Sequence, residues 1–216
     1  MSGTNSEARP IVHIIDDEEG LRTALSRLLT AANFRVATYD SASAFVAARC
    51  ANEPGCILLD VNMPGLSGVQ LQQQLSLAGC RLPIVFLTAH GDIAMSVRAI
   101  KAGAEDFLSK PVSKDDLLDA IGRALQRYRD AESANSQLQI LRDRLQSLTA
   151  RENEVFRLLI RGMLNKQIAY QLGNTERTVK AHRHSIMEKM QVRSMAELAT
   201  IASQLGIPNH DESSPG

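Results

Sequence analysis

The sequence lacks the features of membrane, secreted and metal-cluster proteins. No apolar run among its 216 residues approaches the roughly 20 residues that span a bilayer. The N-terminal segment MSGTNSEARP has no basic flank followed by an apolar stretch, so we expect no signal peptide. The three cysteines, Cys50, Cys56 and Cys80, are odd in number and lack metal-ligand spacing, which is typical of reduced thiols. We therefore expect a cytoplasmic protein without a membrane partner.

The chain also lacks a net charge, but its charges are unevenly distributed. Residues 1–125 carry 11 Lys and Arg against 14 Asp and Glu, a balance of −3. Residues 150–207 carry 9 against 5, a balance of +4. An acidic half joined to a basic half indicates a different partner for each, and the basic half is compatible with nucleic acid.

The first half alternates short apolar runs with amphipathic stretches. Strand-like runs lie at 11–15, 35–39, 56–59, 83–88 and 106–108. An amphipathic stretch follows Glu19 to about Ala32, and further helix-like stretches lie near 41–49, 67–78, 92–102 and 114–128. Five such βα units with buried strands predict an α/β fold, a doubly wound five-stranded parallel sheet. We assign it to residues 9–125.

The second half is helical throughout. Residues 126–148 contain no Gly or Pro and form a predicted helical linker, with an apolar seam at Leu138, Leu141, Leu145 and Leu148. This seam is compatible with a helix docked on its own domain or with a short coiled coil. Residues 149–207 predict an all-α domain of four helices near 150–161, 165–172, 176–190 and 194–205, and the polar segment 208–216 predicts a disordered tail.

Charged and hydroxyl side chains follow the predicted strands. Asp16 and Asp17 end the first strand, Asp60 the third, Thr88 the fourth, and Lys110 the fifth. The carboxyl ends of parallel strands meet at one edge, where three carboxylates repel one another unless a cation lies between them. Hard oxygen ligands of this kind suit Mg²⁺. A carboxylate so placed can attack a phosphoryl group, and the metal and a lysine can neutralise the phosphoryl oxygens.

These residues lie in segments that resemble the receiver domains of response regulators. The segments are IIDDEEG, LLDVNMPGLSG, IVFLTAHGD and AGAEDFLSKP, and the resemblance covers about residues 9–128. It implies a flavodoxin-like fold with Asp60 as the phosphoacceptor. It implies Mg²⁺ bound by Asp17 directly, by Asp16 through water and by the backbone carbonyl of Asn62. It also implies a phosphate-sensing group formed by Thr88, Phe107 as the switch aromatic, Lys110 and a cis bond to Pro111.

Spacing within the second half predicts a helix-turn-helix. Ala169 permits close helix approach, Gly173 supplies a turn conformation, and Val179 packs the second helix on the first. Thr175 is a plausible N-cap of the second helix. The exposed face of that helix then presents a set of side chains suited to the major groove: Thr178, Lys180, Arg183 and His184.

The segment from LTARENEV through NKQIA and TVKAH to VRS resembles the LuxR-type helix-turn-helix over about residues 148–205. Together the two domains resemble the NarL/FixJ class of response regulators, with FixJ-like spacing. By position, the resemblance implies that bases are read by Lys180, Ala181 and His184, and that phosphates are contacted by Lys166, Thr178 and His182. One departure is Asn174, since the family usually has an apolar residue there.

We therefore expect a transcription factor that a sensor histidine kinase phosphorylates on Asp60. Phosphorylation is expected to produce a homodimer through a face containing Val97, Ile100 and Lys101. The homodimer is expected to bind double-stranded promoter DNA and to act on RNA polymerase.

Two alternatives remain. One is an aspartate-nucleophile phosphohydrolase, an enzyme that usually carries a second acid two residues after the nucleophile, where this chain has Asn62. The other is a LuxR-type factor switched by a ligand or by protein contact without phosphate, against which the complete acidic pocket argues.

Overall fold

The structure is a computed structural model that describes residues 9–48, 53–89 and 104–208. The chain divides into two compact units, Met1–Ala131 and Glu132–Gly216. The division falls inside the segment 126–148, which the sequence predicts to be a linker. The predicted fourth helix at 92–102 and nearly all of the predicted tail lie outside the described residues.

The first unit is built on a five-stranded sheet whose described strand pairs are all parallel. Its strands are β1 (Ile11–Ile15), β2 (Arg35–Tyr39), β3 (Gly55–Asp60), β4 (Ile84–Thr88) and β5 (Asp106–Ser109). The strand order β2-β1-β3-β4-β5 places β1 next to β3 at the centre. The chain therefore reverses its winding direction between these strands, and in such sheets ligands bind at the carboxyl edge of that point.

Helices cover both faces of the sheet because its central strands are apolar on both sides. The described helices of this unit are α1 (Glu19–Ala31), α2 (Ala42–Ala48), α3 (Gly68–Leu77) and the start of α4 (Lys114–Gln146). One core contains Phe45, Leu71 and Phe86, and the other contains Leu29 and Leu117. The predicted doubly wound α/β fold is confirmed.

The helix α4 is longer than the sequence predicted, because the stretches at 114–128 and 126–148 form one continuous helix of 33 residues. The leucine seam near its end divides in two. Leu145 and Leu148 pack into the core of the second unit, whereas Leu138 and Leu141 are half-exposed. Within the described residues, even this helix falls short of the combination of length and hydropathy that crossing a membrane requires.

The second unit contains four further helices, as predicted: α5 (Ala150–Ile160), α6 (Asn165–Gln171), α7 (Glu176–Met190) and α8 (Met195–Gln204). Its core includes Phe156, Ile168, Val179, Ile186 and Leu198, all nearly fully buried. The hydroxyls that precede α5, α7 and α8 each accept a backbone N–H of the first turn; they belong to Thr149, Thr175 and Ser194.

The chain turns between these helices use residues with positive φ. Gly162 (φ 78°) and Gly173 (φ 63°) lie at the breaks that the sequence predicted. The third turn differs, because Gln191 adopts φ 53° directly after α7. The predicted helices 176–190 and 194–205 leave a break at 191–193, but the sequence does not indicate this conformation, which glutamine rarely adopts.

The carboxylate of Glu152 connects the first turn of α5 to the C-terminal half of α7. It accepts the Thr149 backbone N–H (2.7 Å), and it accepts bonds from Ser185 Oγ and Lys189 Nζ, both at 2.6 Å. The side chain is only 5% exposed. The bond from Lys189, then those from Ser185 and Thr149, lower the pKa of Glu152 to about 2. One ionised group thus caps one helix and fixes the position of another.

We predict that Glu152→Gln lowers the stability of the second unit by about 1–3 kcal/mol, because a charge-assisted network at a buried site loses its anion. Amide hydrogen exchange of α7 in the full chain measures this directly. Glu154→Gln is the matched control, since Glu154 pairs with Arg151 at the exposed surface and should change stability by no more than about 0.5 kcal/mol.

Acid supplies a second measurement of the same network. The pKa of Glu152 is lower in the folded protein than its ordinary value of 4.5, so the ionised carboxylate contributes its full stabilisation above pH 4.5. This contribution is lost as the pH falls toward about 2. The wild-type protein should therefore lose protection of α7 across that range more steeply than Glu152→Gln. Equal acid dependence in the two proteins would contradict the assignment.

Candidate functional site

The structure brings the predicted acidic residues together at the carboxyl edge of the sheet. Asp16 and Asp17 follow β1, and Asp60 is the last residue of the neighbouring β3. Asp16 and Asp60 are buried, whereas Asp17 is exposed. Oxygen atoms of the three carboxylates all lie within 4.8 Å of one another. This is an open acidic pocket with one side facing solvent.

The ammonium of Lys110 lies between two of these carboxylates. Its Nζ is 2.6 Å from Asp16 Oδ2 and 2.9 Å from Asp60 Oδ1. Lys110 directly follows β5, its backbone N–H donates to the Thr88 carbonyl, and its bond to Pro111 is cis, as the resemblance implied. The lysine therefore reaches the pocket from the far edge of the sheet.

Burial and neighbouring charges act in opposite directions on the titration of this pocket. Burial raises the pKa of Asp60, the bond and charge of Lys110 lower it, and Asp16 and Asp17 raise it, so that the net shift is upward. Burial works to lower the pKa of Lys110, but its bonds to Asp16 and Asp60 outweigh that effect and raise it. Lys110 therefore stays protonated and offsets only part of the negative charge.

The donor set fits a hard divalent cation. Three carboxylates within contact distance of one ion are the ligands that Mg²⁺ accepts, and the exposure of Asp17 leaves room for the waters that this ion retains. Asn62 is exposed two residues after Asp60. Its role as a backbone ligand remains a prediction.

Three supporting features of the pocket were not predicted from the sequence. The Glu18 backbone N–H donates to Asp16 Oδ1 (2.9 Å), and Arg22 Nη1 donates to the Asp16 carbonyl (2.7 Å). Gly68 packs on the strand end, where a Cβ would lie 2.3 Å from the Asp60 carbonyl oxygen. The second glycine of the segment PGLSG, Gly68, was a signal for this contact, but its close approach to Asp60 depends on tertiary structure.

The predicted sensing residues surround the pocket to different extents. Thr88 is buried at the end of β4, and Phe107 is half-buried on β5, with its ring centroid 5.8 Å from that of Phe86. Phe107 therefore contributes to the core in this structure, and its role as a switch stays a prediction. The predicted dimerisation residues, Val97, Ile100 and Lys101, lie outside the described residues.

The predicted DNA-reading residues form a basic surface on α7. Thr178, Lys180, Ala181 and His184 are exposed, and His182 and Arg183 are half-buried. The Thr178 hydroxyl lies 2.9 Å from that of Thr175. Lys166 is exposed on the preceding α6, separated from α7 by the turn at Gly173.

A shallow groove beside α7 adds one residue that the sequence analysis missed. The groove is lined by Lys180, Arg183, His184, Met187, Glu188, Val192 and Arg193. Arg193 comes from the turn before α8, and its exposed side chain extends the basic surface beyond α7. Arg193 belongs to the VRS segment of the resemblance, but the sequence analysis assigned it no DNA contact because it lies outside the second helix of the motif.

The departure at Asn174 has a structural explanation. With its amide oxygen oriented toward Arg151, Asn174 accepts a bond of 2.7 Å from Arg151 Nη2. The same Nη2 donates to the Leu172 carbonyl at 2.6 Å. Arg151 thus holds the turn between α6 and α7 by polar contacts, at a position where an apolar side chain is usual.

Comparison with known proteins gives matches over both units. Residues 12–122 match the response regulator receiver domain, and residues 146–207 match the bacterial regulatory proteins of the luxR family. The chain is similar to the response regulator protein TodT of Pseudomonas putida, with 40% identity over 93% of this chain and 88% of that protein. It is also similar to the transcriptional regulatory protein FixJ of Rhizobium meliloti, with 39% identity over 88% of this chain and 94% of that protein. The structure of the response regulator StyR aligns with a TM-score of 0.81 and 48% identity, over 91% of this chain and 100% of that one.

We predict that Lys110→Met raises the pKa of Asp60 further, because the substitution removes the cation that favours the ionised form. Carbon-13 NMR titration of the Asp60 carboxyl carbon measures the shift. Arg22→Gln is the control, since Arg22 contacts the Asp16 backbone rather than Asp60 and should leave that pKa nearly unchanged. An Asp60 titration indifferent to Lys110 would show that the two groups do not interact in solution.

Proposed function

Because this chain belongs to the response regulators that join a receiver domain to a LuxR-type DNA-binding domain, we propose that phosphoryl transfer from a sensor histidine kinase to Asp60 switches its binding to promoter DNA. The chain is a two-component transcriptional regulator by family. The observation that carries the finer proposal is the contact of Lys110 Nζ with Asp60 Oδ1 in a pocket open to solvent at Asp17.

The transfer step follows from this geometry. Lys110 binds Asp60 Oδ1, which leaves Oδ2 as the nucleophile toward phosphorus. The new bond is an acyl phosphate P–O bond, the P–N bond of the donor phosphohistidine breaks, and the departing imidazole nitrogen takes up a proton. Lys110 stays positively charged and offsets the charge of the phosphoryl oxygens, while Thr88 lies at the end of the adjacent strand as a hydroxyl donor.

We propose Mg²⁺ as the cofactor, held by Asp16, Asp17, Asp60 and the backbone carbonyl of Asn62. The ion would supply positive charge against the phosphoryl oxygens during transfer. The support is the set of three carboxylates within 4.8 Å of one another.

The side chain of Asn62 argues against the phosphohydrolase alternative. A phosphohydrolase of this type needs a carboxyl group at this position to protonate the departing alcohol and then to accept a proton from the attacking water, and a carboxamide can do neither. A regulator instead benefits from slow hydrolysis of the acyl phosphate, since the modified state must last long enough to reach DNA.

For the DNA-binding unit we propose that α7 enters the major groove. Lys180, Ala181 and His184 would contact base edges with Arg183 beside them, and Lys166, Thr178 and His182 would face phosphates. The support is the exposed basic surface of α7 and its position after the turn at Gly173.

Dimerisation links the two proposed events. We propose that phosphorylation turns Phe107 inward and pairs receivers through the face that includes Val97, Ile100 and Lys101, so that two DNA-binding units meet two half-sites. The proposed partners are then the kinase, promoter DNA, a second copy and RNA polymerase, and the proposed location is the cytoplasm.

We predict that Asp60→Asn abolishes labelling by acetyl phosphate and Mg²⁺, measured as the added phosphoryl mass of the intact protein. Asp40→Asn is the matched control, because Asp40 is an exposed carboxylate directly after β2 and outside the pocket, so its labelling should equal wild type. Asp17→Ala should slow labelling strongly while leaving the fold intact. Undiminished labelling of Asp60→Asn would refute the assignment.

We predict that substitutions of two lysines in the DNA-binding unit change DNA affinity in different ways. Lys180→Ala should cost about 1–3 kcal/mol at the specific site and relax sequence preference. Lys166→Ala should weaken specific and random DNA alike and reduce the salt slope of log K by about one. Fluorescence anisotropy at several salt concentrations measures both.

Lys114→Ala provides the control for that comparison, since Lys114 begins α4 in the receiver and should leave DNA affinity unchanged. If Lys180→Ala lowers the affinity for specific and random DNA equally, α7 contacts the phosphate backbone of the DNA rather than its bases, and the proposed base reading is wrong.

A further inference from the structure

The segment that contains α6 exposes two large apolar side chains. Leu164, directly before the helix, is 68% exposed, and Tyr170 within the helix is 91% exposed. The other large apolar side chains that the described residues expose are Val46, Leu77 and Ile140, and each of these lies on a different helix. A single exposed apolar residue is ordinary on a protein surface, whereas neighbouring ones on a short segment are typical of a contact surface.

A groove of about 520 Å³ lies on this side of α6. Its lining residues are Met163, Lys166, Gln167, Tyr170 and Gln171. They recur at spacings of three and four residues, which places them on one side of the helix. The opposite side is occupied, because Ile168 and Ala169 are buried in the core of the second unit. The groove is therefore an outward side of α6 that the described parts of the chain leave uncovered.

The shape of this groove is fixed before any partner binds. The Leu164 backbone N–H donates to Gln167 Oε1 at 2.8 Å, which holds the start of the helix and the Gln167 side chain together. Met163 is half-buried and packs against the core, so it forms a firm end of the groove. Tyr170 adds a large side chain whose ordering on binding costs little conformational entropy. A surface that needs little rearrangement retains more of its contact energy as affinity.

The charge of the groove favours an acidic partner. The described residues that line it include one cation, Lys166, and no carboxylate. Lys166 is exposed, and none of the ion pairs found among the described residues involves it. The methylene groups of Lys166, Gln167 and Gln171 extend the apolar surface of the groove. A segment with apolar side chains and a carboxylate would therefore match the groove in both properties.

This composition suits a different protein better than DNA or a second copy of the chain. Phosphates and base edges are bound mainly by charges and hydrogen-bonding groups, and the exposed side chain of Leu164 supplies neither. If two copies paired through this same surface, two-fold symmetry would bring their Lys166 ammonium groups together with no carboxylate in the lining to offset them.

The place of the groove indicates which protein would reach it. Lys166 lines the groove and is proposed to face a phosphate, and α7 with its basic surface directly follows α6. A protein bound in the groove would therefore lie beside the promoter DNA. Among the proposed partners, RNA polymerase is the one that occupies the same DNA.

We propose that the α6 surface, formed by Met163, Leu164, Lys166, Tyr170 and Gln171, binds an acidic segment of RNA polymerase that carries apolar side chains. The inference rests on the proposed function, because it requires a regulator bound to promoter DNA. Tyr170 and Leu164 supply the apolar contact, and the positive charge of the surface favours the partner's carboxylate. Tyr170, Leu164 and Gln171 are not among the proposed DNA contacts, so polymerase binding and DNA binding can be altered separately.

The experiment uses the full-length chain, phosphorylated with acetyl phosphate, and an operator that this protein selects from random DNA. The operator is placed upstream of a promoter at a series of spacings. Fluorescence anisotropy measures the affinity of purified bacterial RNA polymerase holoenzyme for each fragment, with and without the regulator. We expect the regulator to raise this affinity at least about ten-fold at one spacing or more. Tyr170→Ala should remove the gain while changing the regulator's own affinity for the operator by less than about two-fold.

Three further variants test the apolar contact. Leu164→Ser should also lower the gain, and the helix should stay folded because Leu164 occupies the N-cap position, where serine is favoured. Leu77→Ser is the matched control, since Leu77 is 90% exposed on α3 of the receiver and should leave the gain unchanged. Tyr170→Phe should behave like wild type, because the ring and not the hydroxyl makes the contact.

A pair of substitutions at Gln171 tests the charge of the partner. Gln171 is exposed at the end of α6 and lines the groove. Gln171→Glu adds a carboxylate to the surface and should reduce the gain in polymerase affinity. Gln171→Lys adds a cation at the same place and should retain or increase the gain.

Each result either supports or overturns the proposal. Loss of the gain in Tyr170→Ala and Leu164→Ser, with operator affinity intact, supports it. Absence of a gain at every spacing, retention of the gain in Tyr170→Ala, or equal effects of the two Gln171 variants overturns it. Operator affinity lost in both Tyr170→Ala and Tyr170→Phe would make Tyr170 a DNA contact instead, and a smaller mass of Tyr170→Ala by light scattering would make it a contact between copies.

Failure of the proposed function gives a different result. A chain that selects no operator from random DNA would overturn promoter binding, and this outcome is seen before RNA polymerase is added. A chain that selects an operator but gives no gain in polymerase affinity would overturn only the inference about the α6 surface.

Discussion

The contact of Lys110 with Asp16 and Asp60 is the interaction on which the rest of the receiver depends. Three carboxylates at one edge of a sheet repel one another, and burial makes the charge of two of them more costly. A lysine at the end of β5 reduces this repulsion only because the strand order brings β1 and β3 together and aligns β5 with the same edge. Hence one arrangement of charge, the lysine between two carboxylates, depends on three features: the winding of the sheet, the close approach of Gly68 to Asp60 and the position of Lys110 after β5.

In the second unit, two adjacent residues at the start of α5 hold α7 and the turn before it in position. Glu152 holds the C-terminal half of α7 through Ser185 and Lys189, while Arg151 holds the turn before α7 through Leu172 and Asn174. A short helix pair has little apolar surface with which to fix its own orientation. Polar contacts from α5 therefore help to fix the orientation of α7, and the residues of the basic surface on α7 do not make these contacts.

Much of this arrangement could be predicted because its signals are local. Apolar runs that end in Asp16, Asp60, Thr88 and Lys110 indicated a parallel sheet and its active edge, and Gly162 and Gly173 indicated turns. The features that escaped prediction join residues distant in sequence. Gly68 meets the Asp60 carbonyl, Arg151 meets Asn174, and Arg193 extends the surface of α7 only after the chain has folded. The left-handed Gln191 and the unbroken α4 escaped for another reason, since their composition does not distinguish them from ordinary helical sequence.

The opposite pKa shifts of Asp60 and Glu152 give the two units different tolerance of acid. Burial raises the pKa of Asp60, so a fall in pH protonates this carboxylate before it protonates Glu152. Lys189 and Ser185 lower the pKa of Glu152 to about 2, so its network persists under the same conditions. As the pH falls, the charge balance of the receiver pocket therefore changes before the network that positions α7 loses its charge, so the two units respond to acid one after the other rather than together.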